Sequence, residues 1–166
     1  DALGSNAPLE RKYEIMKDSR VGSFAVIAVI FLFALKSVFL YEILAMADEL
    51  LIILALLFIP MLARFQSLLQ LKLFPPIQNK GLSYEWRKHL SWKDIVFALF
   101  GIVIMIVLYY PFIMLLVLQI LFAVLYGKWA GKNFKGINGD LVGTSIEGAE
   151  LWNVAILYIF ILFVMP

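Results

Sequence analysis

Residues 23–40, S-F-A-V-I-A-V-I-F-L-F-A-L-K-S-V-F-L, decide the fold class of this chain. The run holds a single charge, Lys36, whose ammonium can extend toward a nearby interface while its stem stays in lipid. An α-helix needs about 20 apolar residues to cross the hydrocarbon core of a bilayer, and the run approaches that length. The whole chain is 63% hydrophobic and 16% charged, whereas a soluble domain is nearer half apolar and a quarter charged. The sequence therefore predicts an integral membrane protein.

Further apolar runs extend this pattern along the chain. They cover residues 50–63 (extendable to 69), 95–110, 111–126 and 149–165. The two runs that meet at Tyr-Tyr-Pro, 109–111, are short for a span, so they form either two spans or one tight hairpin. We predict an all-α fold, a polytopic membrane helix bundle with about five transmembrane helices and a cytosolic N-terminal helix. It forms one domain over 1–166: a motif segment 1–22, four spans within 23–126 around loop 64–94, a glycine-rich segment 127–150 and a last span within 149–166.

Charge determines the predicted orientation. Of the 14 Lys and Arg residues, all but Lys36 lie in segments 1–22, 64–94 and 127–140. Cytosolic loops of membrane proteins carry an excess of Lys and Arg, so these segments are predicted to face the cytosol. We therefore expect a multi-pass protein of the bacterial cytoplasmic (inner) membrane with its polar motifs on the cytoplasmic side.

The composition excludes several kinds of chemistry. The chain contains no cysteine and a single histidine, His89, which rules out disulfides, thiolate catalysis and a histidine-rich metal site within it. His89 lies in W-R-K-H-L-S-W, 86–92, a pattern typical of an interfacial helix on the membrane surface. The net charge of +2 is too small to indicate nucleic-acid binding.

Segment 136–150, G-I-N-G-D-L-V-G-T-S-I-E-G-A-E, is strongly polar although it lies between apolar runs. A helix that opens near Asp140 would place Asp140, Gly143, Glu147 and Glu150 on one face, with the glycine open to a ligand. Such carboxylates suit Mg²⁺, and the helix start suits phosphate oxygens. The alternative is that Asp140 only caps the last helix while the glutamates lie among lipid headgroups. Glu150 directly precedes apolar residues, so its charge must be paired, bound or in a cavity.

A second polar motif, I-M-K-D-S-R-V-G at 15–22, directly precedes the first span. It offers two cations, a carboxylate and a hydroxyl: Lys17, Arg20, Asp18 and Ser19. Arginine contacts phosphate in a bidentate manner, and lysine acts as a point charge beside it. The alternative is an ordinary positively charged membrane anchor. The predicted common side of this motif and segment 136–150 favours a binding site.

Arg64 lies in P-M-L-A-R-F-Q, 60–66, where Pro60 predicts a kink. If the second span continues to 69, Arg64 is inside the bilayer and needs an anionic partner. If the span ends at 63, Arg64 is an interfacial residue. The sequence alone favours the second alternative.

The two motifs together resemble the cobalamin synthase family, also called adenosylcobinamide-GDP ribazoletransferases. Segment 1–22, D-A-L-G-S-N-A-P-L-E-R-K-Y-E-I-M-K-D-S-R-V-G, is similar to the family segment that follows an aspartate-rich run and ends in M-K-D-S-R-x-G. Segment 136–150 is similar to the family pattern G-x-T-G-D-x-x-G-A-x-x-E-x-x-E, with Asn138 and Thr144 in place of Thr and Ala. The resemblance implies that Asp1 is the last aspartate of the run D-G-x-x-D-x-x-D-G and that the earlier aspartates precede this chain.

The resemblance also implies a Mg²⁺-dependent transfer, in which adenosylcobinamide-GDP is joined to α-ribazole or its 5′-phosphate and GMP is released. Phosphoryl-type transfer needs mainly positioning and charge neutralisation from the protein. On this hypothesis three carboxylates help to hold Mg²⁺: Asp1, Asp140 and Glu147. Asp18 or Glu150 would position or deprotonate the attacking hydroxyl. The other candidates would bind substrate: Lys17, Ser19, Arg20, Arg64, Asn138, Gly139 and Gly143.

Two other classes of function are alternatives. A transporter or carrier that uses helix-end carboxylates predicts ionisable residues deep within several spans, whereas here they cluster at the predicted cytosolic ends. A non-catalytic membrane subunit predicts no coherent acidic stripe. The lipid bilayer is a partner in every case, nucleic acid is not expected, and the sequence leaves a homo-oligomer open.

Overall fold

The computed structural model describes residues 1–164, which form seven helices. They are α1 (Leu9–Lys17), α2 (Ser23–Met46), α3 (Glu49–Leu73), α4 (Leu82–His89), α5 (Trp92–Leu108), α6 (Phe112–Phe134) and α7 (Gly139–Val164). The described residues contain no strand, and their one extended pairing is an isolated parallel bridge between Pro76 and Ile137. Met165, the predicted end of the last span, and Pro166 lie outside the described residues.

Four helices are long and apolar enough to cross a membrane: α2, α3, α6 and α7. The pair α4 and α5 is bent by 90° at the break between them, and the two together would form a fifth span. The prediction of an all-α, polytopic membrane bundle with about five spans is therefore confirmed. A helix is also present where the interfacial helix around His89 was predicted, since α4 ends at this residue.

Helix α3 is the centre of the bundle. Its buried residues recur three or four positions apart and pack against α5, α6 and α7, and Phe58 and Leu62 are fully buried. The Phe58 ring stacks on Phe112 of α6, with ring centroids 4.4 Å apart. Helix α2, by contrast, buries only Ile43 and packs against α7. The core thus lies around α3, and α2 presents most of its apolar surface outward.

A seam of buried polar side chains joins α3, α6 and α7. The Gln66 amide donates to Ser145 Oγ (3.0 Å), and Ser145 Oγ donates to Gln70 Oε1 (2.7 Å). Farther along α7, the Asn153 amide donates to the Gln119 side-chain oxygen of α6. All of these side chains are buried. Such bonds hold membrane helices together where lipid offers no partner, so the seam determines how α7 sits against α3 and α6.

The spans are longer than the apolar runs that predicted them. Helix α2 continues beyond residue 40 to Met46, and α3 continues beyond 69 to Leu73. Arg64 consequently lies inside α3, so the favoured alternative, a span that ends at 63, is wrong. Pro60 also lies within this helix. The two short runs that meet at 109–111 form two separate helices, α5 and α6.

Candidate functional site

The polar segments converge at one end of the bundle, where α2 and α7 begin and α3 and α6 end. The Tyr13 hydroxyl of α1 donates to the carbonyl oxygen of Phe134, the last residue of α6 (2.6 Å). The connector after α3 pairs with the segment before α7, because Ile77 N–H donates to Ile137 O (3.0 Å) and Ile137 N–H donates to Pro75 O (2.9 Å). The two predicted motifs therefore lie at the same end of the molecule.

Gly136 permits the close approach of the connector to the start of α7. A Cβ at this position would lie 2.6 Å from the Pro75 carbonyl oxygen and 3.0 Å from the Ile77 nitrogen. Real Cβ atoms do not approach backbone oxygens so closely, so any side chain would displace the connector. Packing against the connector therefore requires glycine at position 136, independently of any role of segment 136–150 in binding.

The larger of two adjoining cavities at this end has a volume of about 640 Å³. Three segments line it: the end of α1, the connector that carries Lys80, and the start of α7. Four of the predicted site residues lie in its wall: Lys17, Asn138, Gly139 and Asp140. The cavity therefore combines residues from both ends of the chain.

The smaller cavity, about 310 Å³, adjoins the larger one at Asp140, which lines both. Four further predicted site residues line it, all from segment 1–22: Asp1, Asp18, Ser19 and Arg20. Aromatic side chains form part of its wall: Tyr126, Trp129 and Phe134. This cavity is thus acidic and aromatic, whereas the larger cavity carries the lysines.

The start of α7 is capped by Asn138. Its side-chain oxygen accepts a hydrogen bond from Leu141 N–H (3.0 Å), and its side-chain nitrogen donates to Asp140 Oδ2 (3.0 Å). Asp140 lies in the first helical turn and is exposed. The alternative in which Asp140 itself caps the helix is therefore wrong, because the Asn138 side chain occupies the cap position and accepts from Leu141 N–H. The Asp140 carboxylate is left facing the two cavities.

Asp1 anchors the N-terminal segment to the start of α2. Its carboxylate oxygens accept hydrogen bonds from Gly22 N–H (2.7 Å) and Ala25 N–H (3.0 Å). A Cβ at Gly22 would lie 2.4 Å from the nearer carboxylate oxygen, so only glycine leaves room for this contact. A carboxylate at a helix N-terminus is favoured by the free N–H groups and the helix dipole. Asp1 thus has a structural contact beside its place in the smaller cavity.

Asp18 and Arg20 form an ion pair at the cavity mouth. Arg20 Nη2 lies 2.8 Å from Asp18 Oδ2, and the Arg20 backbone N–H donates to Asp18 Oδ1 (3.0 Å). These hydrogen bonds from Arg20 lower the pKa of the Asp18 carboxyl below its ordinary value. Asp18 is therefore ionised at neutral pH and acts as a hydrogen-bond acceptor.

Three other charged site candidates lie outside both cavities: Arg64, Glu147 and Glu150. Together with Lys36 they form a group that we term the intramembrane ion cluster. Lys36 Nζ lies 2.7 Å from Glu147 Oε2 and 2.9 Å from Glu150 Oε2. Arg64 Nη1 lies 2.5 Å from Glu150 Oε1. The Lys36 and Glu150 side chains are only 15% and 18% exposed. Lys36 is thus held by α7 and does not extend alone toward the interface as predicted.

The carboxylates predicted to share one face of α7, Asp140, Glu147 and Glu150, are divided between the cavities and the intramembrane ion cluster. Asp140 and Glu147 are separated by about 10 Å along the axis of α7, and only Asp140 lines the cavities. Gly143 lines neither cavity, and a Cβ there would meet nothing within 4 Å. Within residues 1–164, no three Asp, Glu or His side chains are close enough together to hold a metal ion. The three predicted metal ligands are therefore not assembled by the described part of the chain.

Comparison with known proteins gives the family. The model of the cobalamin-5-phosphate synthase family matches residues 1–159. The chain belongs to this family. The resemblance noted from the two motifs is thereby confirmed, and no solved structure matches the chain.

Similar proteins named adenosylcobinamide-GDP ribazoletransferase cover almost the whole chain. One from Geobacillus thermodenitrificans is 32% identical over 93% of this chain and 62% of its own length. One from Clostridioides difficile is 32% identical over 99% of this chain and 66% of its own length. One from Brevibacillus brevis is 34% identical over 90% of this chain and 61% of its own length. This member of the cobalamin-5-phosphate synthase family thus spans a little under two thirds of these relatives.

Some cavity residues of this family member were missed by sequence reasoning. Lys80 lies in a connector, and only its pairing with the segment before α7 brings it to the cavity. Tyr126 ends an apolar run and Trp129 follows it, and neither was among the predicted site residues. The one signal in the sequence was the turn-rich character of F-P-P-I-Q-N-K-G, 74–81, which marks a tight, polar connector.

Proposed function

We propose that this protein carries out adenosylcobinamide-GDP ribazoletransferase chemistry, joining adenosylcobinamide-GDP to α-ribazole or its 5′-phosphate with release of GMP. The observation that carries the proposal is the meeting of the two family motifs at Asp140, between two adjoining cavities. A two-substrate transfer requires neighbouring sites that hold the reacting groups against each other. The names of the family and of the similar proteins agree with this chemistry.

In the proposed reaction, a ribazole hydroxyl attacks the phosphorus that bears cobinamide and forms a new P–O bond. The bond between that phosphorus and the bridging oxygen breaks, GMP leaves with the bridging oxygen, and the hydroxyl proton passes to solvent water. Asp18 accepts a hydrogen bond from the attacking hydroxyl and so orients it, because its pKa is too low for it to serve as a strong base. Lys17 and Arg20, on the two sides of Asp140, neutralise the diphosphate.

The residues at the cavity junction suit Mg²⁺. This ion is usually bound by one or two carboxylates together with substrate phosphates and water, and when bound it neutralises the diphosphate charge. Asp140 faces both cavities and Asp1 lines the smaller one, so these two carboxylates would hold it. Glu147 would not, since its carboxylate is paired with Lys36.

The distribution of charge supports a proposed orientation in the membrane. The end of the bundle that contains the cavities carries most of the Lys and Arg residues. The positive-inside rule therefore favours the proposal that this end faces the cytoplasm at a bacterial inner membrane. The transporter alternative has no support in the comparisons, since the similar proteins are named as transferases. The ionisable residues inside the spans also pair with one another, as a purely structural cluster would.

The decisive experiment is GMP release from adenosylcobinamide-GDP by the full-length protein in lipid nanodiscs. We expect release that depends on both α-ribazole and Mg²⁺. Release without any dependence on α-ribazole would make the protein a hydrolase, and no release at saturating substrates would overturn the proposal. A Glu49→Gln variant, changed at the exposed start of α3 and far from the cavities, serves as the control for expression and folding.

A further inference from the structure

The larger cavity contains two lysines whose charges are not neutralised by a neighbouring carboxylate. Within residues 1–164, neither Lys17 nor Lys80 forms an ion pair or a side-chain hydrogen bond. By contrast, Arg20 pairs with Asp18, and Lys72 donates to the Leu90 carbonyl oxygen. Two exposed lysines from separate segments thus share one cavity, where they attract an anion.

The backbone around the same cavity adds to this positive character. The cavity is lined by the first residues of α4, Leu82 and Ser83, and by those of α7, Gly139 and Asp140. Helix α4 begins after Gly81, which has no side chain that could cap its free N–H groups. Free N–H groups at helix starts bind phosphate oxygens, and lysines beside them strengthen that attraction.

The cavity wall is held in shape by the connector. The connector that carries Lys80 is hydrogen-bonded to the segment before α7 through Ile77 and Ile137. This pairing brings Lys80 into the wall of the same cavity as Asp140, although the two residues are far apart in the sequence. Gln78 and Asn138 add amide groups that can donate to and accept from a nucleobase. The volume of about 640 Å³ lies in the range of small-molecule sites.

We propose that this cavity binds the nucleoside-diphosphate part of the donor substrate and that Lys80 contacts its phosphates. This inference rests on the proposed transferase function and assigns the two halves of the reaction to separate places. The guanosine diphosphate lies between Lys17, Lys80 and the start of α7. The smaller cavity, with its aromatic wall of Tyr126 and Trp129, receives the acceptor nucleoside, whose planar base stacks on the rings.

The test is binding of GDP to the full-length protein in nanodiscs, measured by titration calorimetry. We expect Lys80→Gln to raise the Kd for GDP about tenfold, because a charge-assisted hydrogen bond to phosphate is lost. Lys80→Arg should stay within about twofold of the wild type, because the charge is kept. Lys128→Gln, which removes an exposed lysine of α6 outside both cavities, should bind GDP as the wild type does. A normal Kd for Lys80→Gln would overturn the assignment.

Kinetics separate this inference from the proposed function. In Lys80→Gln, the KM for adenosylcobinamide-GDP should rise about tenfold while the KM for α-ribazole is unchanged. A rise in the KM for α-ribazole alone would overturn the assignment, because it would indicate that the acceptor binds in the larger cavity. If the wild type releases no GMP but Lys80→Gln still binds GDP more weakly than the wild type does, the nucleotide site is supported and the transferase function is excluded. If GMP release is normal and Lys80→Gln changes neither KM, the function stands and this inference falls.

Discussion

Helix α7 carries carboxylates in two places that differ in what surrounds them. At its start, Asp140 is exposed, accepts one hydrogen bond from Asn138 and faces two cavities. Two to three turns later, Glu147 and Glu150 meet cations from α2 and α3. The first place leaves a charge available to a ligand, and the second neutralises charge within the protein.

The difference shows how depth in the membrane changes the use of the same residue type. A carboxylate inside a span is costly unless a cation and hydrogen bonds accompany it. Lys36 and Arg64 provide those partners, so the ion cluster ties α2, α3 and α7 together. A carboxylate at a helix start loses less hydration than one inside a span, so it can remain ionised without a cation and available to a ligand. The following predictions test this division.

The largest expected effect is the loss of activity in Asp140→Asn. Removing the charge at the cavity junction should lower ribazole-dependent GMP release at least 100-fold, which is the usual size of a lost electrostatic contact to the reacting group. The midpoint of thermal unfolding should be unchanged, because the side chain is exposed. Near-normal GMP release at saturating Mg²⁺ would remove Asp140 from the proposed site.

Glu150→Gln should reduce stability by about 2–3 kcal/mol, since it leaves Arg64 without its anion and Lys36 with only Glu147. The reduction is below that of a fully buried pair because the cluster is partly exposed. Thermal unfolding in detergent measures it, and a double-mutant cycle with Arg64→Met shows whether the two residues act on each other. Activity should fall only with the folded fraction. A large loss of kcat at unchanged stability would return Glu150 to the catalytic candidates.

Gly136→Ala should cost about 1–2 kcal/mol, because the added Cβ would lie 2.6 Å from the Pro75 carbonyl oxygen. The expected signature is faster hydrogen exchange at two amides, because the bonds from Ile77 N–H to Ile137 O and from Ile137 N–H to Pro75 O would open. Gly131→Ala is the matched control, since a Cβ there meets nothing within 4 Å and alanine favours the helix. Unchanged exchange in Gly136→Ala would show that the connector tolerates the displacement.

The smallest effect is expected on pH dependence. The pKa of Asp18 lies below its ordinary value of 3.8 because Arg20 stabilises the ionised form. The ion pair is therefore complete at neutral pH and is lost only as the pH falls through that lowered pKa. In Arg20→Gln, the pKa should rise toward the ordinary value, so the acid limb of the kcat/KM profile should move to higher pH. Lys88→Gln, which breaks an exposed pair with Glu85 elsewhere, should leave the limb in place.

Much of the fold could be predicted from hydropathy because a membrane helix is specified by local composition. Runs of apolar residues such as 23–40 predict a span wherever they occur, and the bilayer leaves few alternatives to a helix. Helix ends were less accurate, as in α2 and α3, because packing against neighbours carries a helix beyond the apolar run. The family could also be recognised, since its two motifs are short and continuous in sequence.

The site was only partly predictable. Helical spacing placed Asp140, Glu147 and Glu150 on one stripe, yet it could not show that Lys36 of α2 reaches across to the second half of that stripe. The Lys80 connector and the start of α7 are separated by three helices, and only hydrogen bonds between backbone segments bring them together. Both contacts are long-range, and no local pattern encodes them.

The sequence by itself determined the class of protein, the number of spans and the residue types available for phosphate chemistry, because these depend on local composition and on continuous motifs. Tertiary structure alone decided which carboxylates remain available for a ligand and which are neutralised. That choice depends on the cations of neighbouring helices. Asp140 faces the cavities because Asn138 caps α7 in its place, whereas Glu150 is held in the bundle by Lys36 and Arg64.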